Sequence, residues 1–103
     1  MSAEASVRRR AERERLLALL RSELSTLLPA GETVWIFGSL TNPERFSEHS
    51  DIDLALVRRP LQFSEFWLQG ELELRLGRRV DVVVLSETRL REKIENEGTK
   101  WML

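Results

Sequence analysis

From Trp35 to Val57 the chain reads WIFGSLTNPERFSEHSDIDLALV. The stretch opens as a β-branched and aromatic run that ends on a glycine–serine pair, Gly38-Ser39. It closes as a second apolar run headed by two aspartates, Asp51 and Asp53. Strand alternation puts those carboxylates on one face, about 6.5 Å apart along the chain, and turns Ile52, Leu54 and Leu56 toward a core. For Gly38-Ser39 at the end of one strand to meet Asp51 at the start of the next, the strands must be antiparallel. Residues 40–50, polar and long, then close the turn.

Working outward, Leu16, Leu17, Leu20, Leu24, Leu27 and Leu28 recur at helical spacing, which predicts a helix from about Ala3 to Leu28, ended by Pro29-Ala30-Gly31. Its first turns, VRRRAERER, are almost all charged and read as a solvated face. TVWIFG, Thr33 to Gly38, reads as a strand buried on both faces. Ser39 to Ser50 holds at most a short helix, and DIDLALV is the second strand. Pro60 opens a helical region to Gly77, with a wide apolar face of Phe63, Phe66, Trp67, Leu68, Leu72, Leu74 and Leu76. RRVDVVVL, Arg78 to Leu85, is a third strand with Asp81 embedded. SETRLREKIENEG reads as a last helix with Ser86 as N-cap, Glu87 in its first turn and Gly98 past its end. The tail TKWML is an edge strand or a packing peptide. The order α-β-α-β-α-β-α predicts an α/β (α+β) fold, a small mixed sheet of about three strands covered by helices on at least one face.

The 103 residues suit a single domain, 1–103. A net charge of -1 sets up no global field to recruit nucleic acid or an acidic membrane. The chain has no cysteine, hence no disulfide framework and no thiolate site. Neither a membrane span nor an apolar leader is visible, so the expected location is cytoplasmic.

If the second and third strands lie side by side, Asp51, Asp53 and Asp81 converge. Two carboxylates about 5 Å apart repel by roughly 3 kcal/mol at an effective dielectric of about 20. A small domain does not carry that penalty without a reason. Either protons or divalent cations neutralise the group. Oxygen-only donors, with no cysteine and one histidine, point to Mg²⁺ or Mn²⁺ instead of zinc. Magnesium held this way keeps open positions for substrate phosphates. Gly38 lets a phosphate approach the backbone, and a helix starting at Ser39 would turn its free N–H groups and dipole toward the same anion. One ligand fits both parts: a nucleoside triphosphate with its metals.

The set Gly38-Ser39, Asp51-Ile52-Asp53 and Asp81, in this order and strand context, resembles the minimal nucleotidyltransferases (MNT) of the DNA polymerase beta superfamily. The likeness runs through WIFGS, SDIDLALV, GRRVDVVVL and the ending REKIENEGTKWML, nearly the whole chain. It implies the nucleotidyltransferase fold and transfer of AMP from ATP to an acceptor hydroxyl. It implies that Asp51, Asp53 and Asp81 are catalytic and hold two Mg²⁺ ions, that Asp81 takes the acceptor proton, and that Gly38 and Ser39 bind the nucleotide's phosphates. Small stand-alone members resemble the antitoxin half of toxin–antitoxin modules whose toxin is a HEPN-domain ribonuclease. The acceptor implied is a tyrosine of that toxin, which makes the chain a protein adenylyltransferase.

Two alternatives stand beside this reading. One is an antitoxin that neutralises by binding alone; the other is transfer to a hydroxyl of a small molecule or an RNA end. The sequence departs from the family after Ser39, where Leu40, Thr41, Asn42 and Pro43 follow. Pro43 lacks the N–H of a second helical turn, so the phosphate-side helix is expected to be a single turn. Arg45, Arg78 and Arg79 could supply the missing positive charge. His49 reads as a loop residue, the tryptophans Trp35, Trp67 and Trp101 as core or interface, and Trp101, Met102 and Leu103 as a weak association surface.

Overall fold

A computed structural model describes residues 3–103. Helix α1 (Ala3–Leu27) leads into strand β1 (Thr33–Phe37), then a 3-10 turn at Gly38–Thr41 and strand β2 (Ile52–Leu56). Helix α2 (Glu65–Leu76), strand β3 (Val80–Val84), helix α3 (Arg91–Glu97) and strand β4 (Thr99–Met102) complete the chain. The sheet order is β3-β2-β1-β4. β1 is antiparallel to both β2 and β4, while β2 and β3 are parallel, so the sheet is mixed. Among the described residues no helix is long and apolar enough to cross a membrane.

The two sheet faces differ. One carries the main core: Leu16, Leu20 and Leu24 of α1 and Leu68 and Leu72 of α2 close over Val34, Ile36, Ile52, Leu54, Val80 and Val82. The other carries a smaller cluster in which Ile94 of α3 covers Ala55 and Leu85, with Trp35, Phe37 and Val83 only partly buried. β1 was expected to be buried on both faces, yet Trp35 and Phe37 stay half-open. The seven residues of α3 are too few to cover that face.

Four boundaries differ from the sequence expectation, each for a local reason. β2 begins at Ile52, leaving Asp51 one residue outside it. β3 begins at Val80, not Arg78. α2 begins at Glu65 because Ser64 is its cap: the Ser64 hydroxyl accepts from the Trp67 N–H at 3.1 Å, so Pro60 belongs to the preceding loop. The last helix begins at Arg91, and Ser86 caps nothing. Glu87, expected in its first turn, is drawn instead to Arg59 by two hydrogen bonds of 3.0 and 2.7 Å. The tail forms β4, which makes a fourth strand, and its continuation is fixed by Leu103 N–H donating to the Glu32 carbonyl.

β3 lies at the sheet edge, yet its first two outward donors are taken. The N–H groups of Val80 and Val82 donate to the side-chain oxygens of Glu73 and Gln69, one helical turn apart on α2. The loop after the 3-10 turn is anchored by Phe46, which is buried, with the Arg78 guanidinium over its ring. Arg78 also donates to the carbonyls of Ser47 and Ser50 at 3.3 and 2.9 Å.

The capping role of Ser64 is measurable. Ser64→Ala is expected to destabilise the fold by about 1 kcal/mol, lowering the melting temperature by roughly 4–8 °C in a thermal melt followed by circular dichroism.

Candidate active site

The site is built where an antiparallel and a parallel pairing share β2. Phe37 pairs with Asp53 across β1 and β2, and Asp53 pairs with Asp81 across β2 and β3. Paired residues project to the same face, so Asp81, Asp53 and Phe37 form one row across the sheet. That row lies on the half-covered side, at the end of β1 and the start of β2 and β3. The antiparallel run of β1 and β2 required by the sequence is present, and it brings Gly38 beside Asp53.

Gly38 has a reason to be glycine. Its φ is 76°, a region that side chains rarely adopt, and a Cβ placed there would collide with the Asp53 carboxylate. The backbone thus passes the carboxylate with nothing between them. Ser39 follows in the 3-10 turn, which is held at both ends: the Thr41 hydroxyl donates to the Gly38 carbonyl at 2.8 Å, and Asn42 N–H to the Ser39 carbonyl at 3.1 Å. Arg13 of α1 donates its Nε to the Leu40 carbonyl at 2.8 Å, tying the turn to the leading helix. The element has four residues, in keeping with the single turn expected from Pro43.

Electrostatically the three aspartates act together. Burial, then Asp81, then Asp51 push the Asp53 carboxyl up from its ordinary 3.8 to about 6. None of the ion pairs among the described residues involves Asp51, Asp53 or Asp81. The ligand geometry is looser than the sequence suggested: among the described residues no three histidine or carboxylate side chains gather closely enough to hold an ion by themselves. Asp51 precedes β2, so strand alternation does not fix its side chain. The donor set still suits a hard divalent cation, which commonly takes one or two carboxylates and fills its other positions with water and substrate phosphates.

Of the three arginines considered for the phosphates, Arg78 is committed to the loop carbonyls, while Arg45 and Arg79 are exposed. His49 is exposed beside Glu48, away from any ligand role. The structure adds two residues that the sequence reading passed over. Phe37 flanks Asp53, and Arg13 holds the turn. Arg13 stands three positions before Leu16 on the inward stripe of α1, a place where an arginine needs a partner.

A glycine turn against a carboxylate row on a small mixed sheet defines the nucleotidyltransferase class. Residues 22–101 match the model of the family described as Polymerase beta, Nucleotidyltransferase, and the chain belongs to that family. It is a nucleotidyltransferase. No curated protein sequence matches the chain. A chain of a toxin–antitoxin complex with AMP-PNP superimposes with a TM-score of 0.62 at 23% identity, over 88% of this chain and 73% of the other. A chain of the MntA–HepT toxin–antitoxin complex gives 0.55 at 21%, over 91% and 73%. A chain of the complex between tri-AMPylated Shewanella oneidensis HEPN toxin and MNT antitoxin gives 0.54 at 19%, over 92% and 73%. At these identities the likeness is one of fold.

The raised Asp53 carboxyl has a consequence for stability. An unfolded aspartate titrates near 3.9, so the folded state binds this proton more tightly. The resulting stabilisation is full below about pH 4 and is lost as the pH rises through about 6. After allowance for solvent screening the ionised group costs about 1–2 kcal/mol in metal-free protein at neutral pH. Asp53→Asn is therefore expected to melt several degrees higher than the parent at about pH 8 and level with it at about pH 4. Thermal melts in a chelating buffer at the two pH values check this.

Proposed function

We propose that the protein transfers AMP from ATP to a hydroxyl, a tyrosine of a partner HEPN toxin, and serves as the antitoxin of that pair. The observation that carries the reading is the row Asp81–Asp53 with Gly38 packed bare against it. Asp51 and Asp53 are assigned to hold two Mg²⁺ ions, with Asp81 reaching the second. When bound, divalent metal supplies charge neutralisation of the triphosphate and acidifies the acceptor hydroxyl.

The residues of the chain have separable tasks in this scheme. The Gly38-Ser39 backbone and the Ser39 hydroxyl hold the terminal phosphates and orient the α-phosphorus toward the acceptor. An Oδ of Asp81 takes the proton from the acceptor hydroxyl. The new bond joins the acceptor oxygen to the α-phosphorus, the bond to the α–β bridging oxygen breaks, and pyrophosphate leaves. Two supports for the acceptor come from similar folds: one is found in a toxin–antitoxin complex with AMP-PNP, another beside a tri-AMPylated HEPN toxin.

A second reading, neutralisation by binding alone, is favoured by one observation. The phosphate-side element is a single 3-10 turn, with few free N–H groups to hold a triphosphate.

The experiment is to incubate the protein and a co-expressed HEPN partner with Mg²⁺ and labelled ATP, then locate added AMP by mass spectrometry. Label on a partner tyrosine, lost in Asp53→Ala, is the expected result; no label with any nucleotide or metal overturns the transfer reading. If Asp53→Ala at equal abundance still protects cells from the toxin, binding alone suffices. Metal is expected to act through the same carboxylate. Mg²⁺ raises the melting temperature at about pH 8 and has no effect at about pH 4, where Asp53 carries its proton.

A further inference from the structure

The side of α2 that faces away from the core is apolar along its length. Leu68 and Leu72 point inward, and on the opposite side stand Phe66, Trp67, Gly70 and Leu74. Phe66 is 72% exposed, Trp67 45% and Leu74 82%. Trp67 leans on the Phe63 ring at 5.2 Å, while Phe66 and Leu74 project into solvent. The apolar expectation for this helix was correct in composition, but these three residues lie outside the core instead of building it.

Gly70 is the second observation. It sits in the middle of α2, where glycine is the least favoured residue after proline. A Cβ added there would meet nothing within 4 Å, so no neighbour in the chain requires its absence. Its φ is not positive, so no turn requires it either. A glycine at the centre of an exposed apolar stripe allows another helix to approach closely, below the usual interaxial distance of about 8–10 Å.

We infer that this face is an interface with a second copy of the chain, its α2 helices crossing antiparallel with the two Gly70 residues at the twofold axis. The spacing favours self-pairing. Phe66 and Leu74 lie four positions either side of Gly70, so a twofold axis there sets Phe66 of each copy against Leu74 of the other. The aromatic and leucine surface amounts to roughly 400 Å² per copy, given that an aromatic side chain offers about 150–250 Å². Two copies together bring about 800 Å², the size of a weak or transient interface. A weak dimer results, with a dissociation constant on the order of micromolar or above. The inference stands apart from the catalytic reading, since none of these residues touches the aspartate row.

Sedimentation equilibrium of the full chain, from about 1 to about 500 μM, tests it. The average mass is expected to climb from 12.0 kDa toward twice that value. Leu74→Glu and Phe66→Gln, both at exposed positions, are expected to remain monomeric with unchanged circular dichroism. Gly70→Ala is the diagnostic variant, because it should raise the melting temperature of the monomer while weakening the dimer about tenfold or more. Three results overturn the proposal: a parent monomeric across the range, Leu74→Glu dimerising like the parent, or Gly70→Ala dimerising as tightly. A stripe protected from hydrogen exchange only by a different protein would replace the second copy as its occupant.

Discussion

The backbone ladder between β2 and β3 holds Asp53 and Asp81 side by side, and the burial of Asp53 together with their mutual repulsion is the constraint around which the site is arranged. Parallel pairing fixes the register, so neither carboxylate can slide away from the other without breaking hydrogen bonds. The penalty is met by rigidity on the opposite face, where Ile52, Leu54, Val80 and Val82 are locked into the main core. Charge is thus placed on a surface that cannot relax to relieve it. Such a surface favours whatever brings positive charge, and phosphate-bearing substrates arrive with their metals.

The other half of the site depends on a loop that has little regular structure of its own. Residues 42–50 are held by the burial of their own Phe46 and by Arg78 on the Ser47 and Ser50 carbonyls, while Arg13 fixes the turn before them. Arg78 also stands at the entrance of the strand that carries Asp81. One side chain therefore couples the position of the loop to that of the third carboxylate. An arginine that looked available to a phosphate serves instead as a structural brace.

Much of this was legible in the chain, and the reasons are local. Alternation in DIDLALV set the inward face of Ile52, Leu54 and Leu56 correctly, because period-two patterning is strict in strands. The antiparallel run of β1 and β2 followed from requiring Gly38-Ser39 to meet Asp51. What escaped was decided by single side-chain bonds. Ser64 capped α2 four residues after Pro60, and Arg59 drew Glu87 out of the last helix. The apolar count of α2 could not say that Phe66, Trp67 and Leu74 face outward, since seven apolar residues span more of the helix than one core can accept. The position of Asp51 just before β2 was likewise invisible, because strand ends are set by the partner strand as much as by the residue.

The capping of Val80 and Val82 by Glu73 and Gln69 has a mechanical consequence. A rim strand ordinarily frays, and a reactive group carried on it would wander. Here two side chains from a helix stand in for part of the missing neighbour, on either side of Asp81. The outermost strand then offers a foreign chain two fewer donors to pair with.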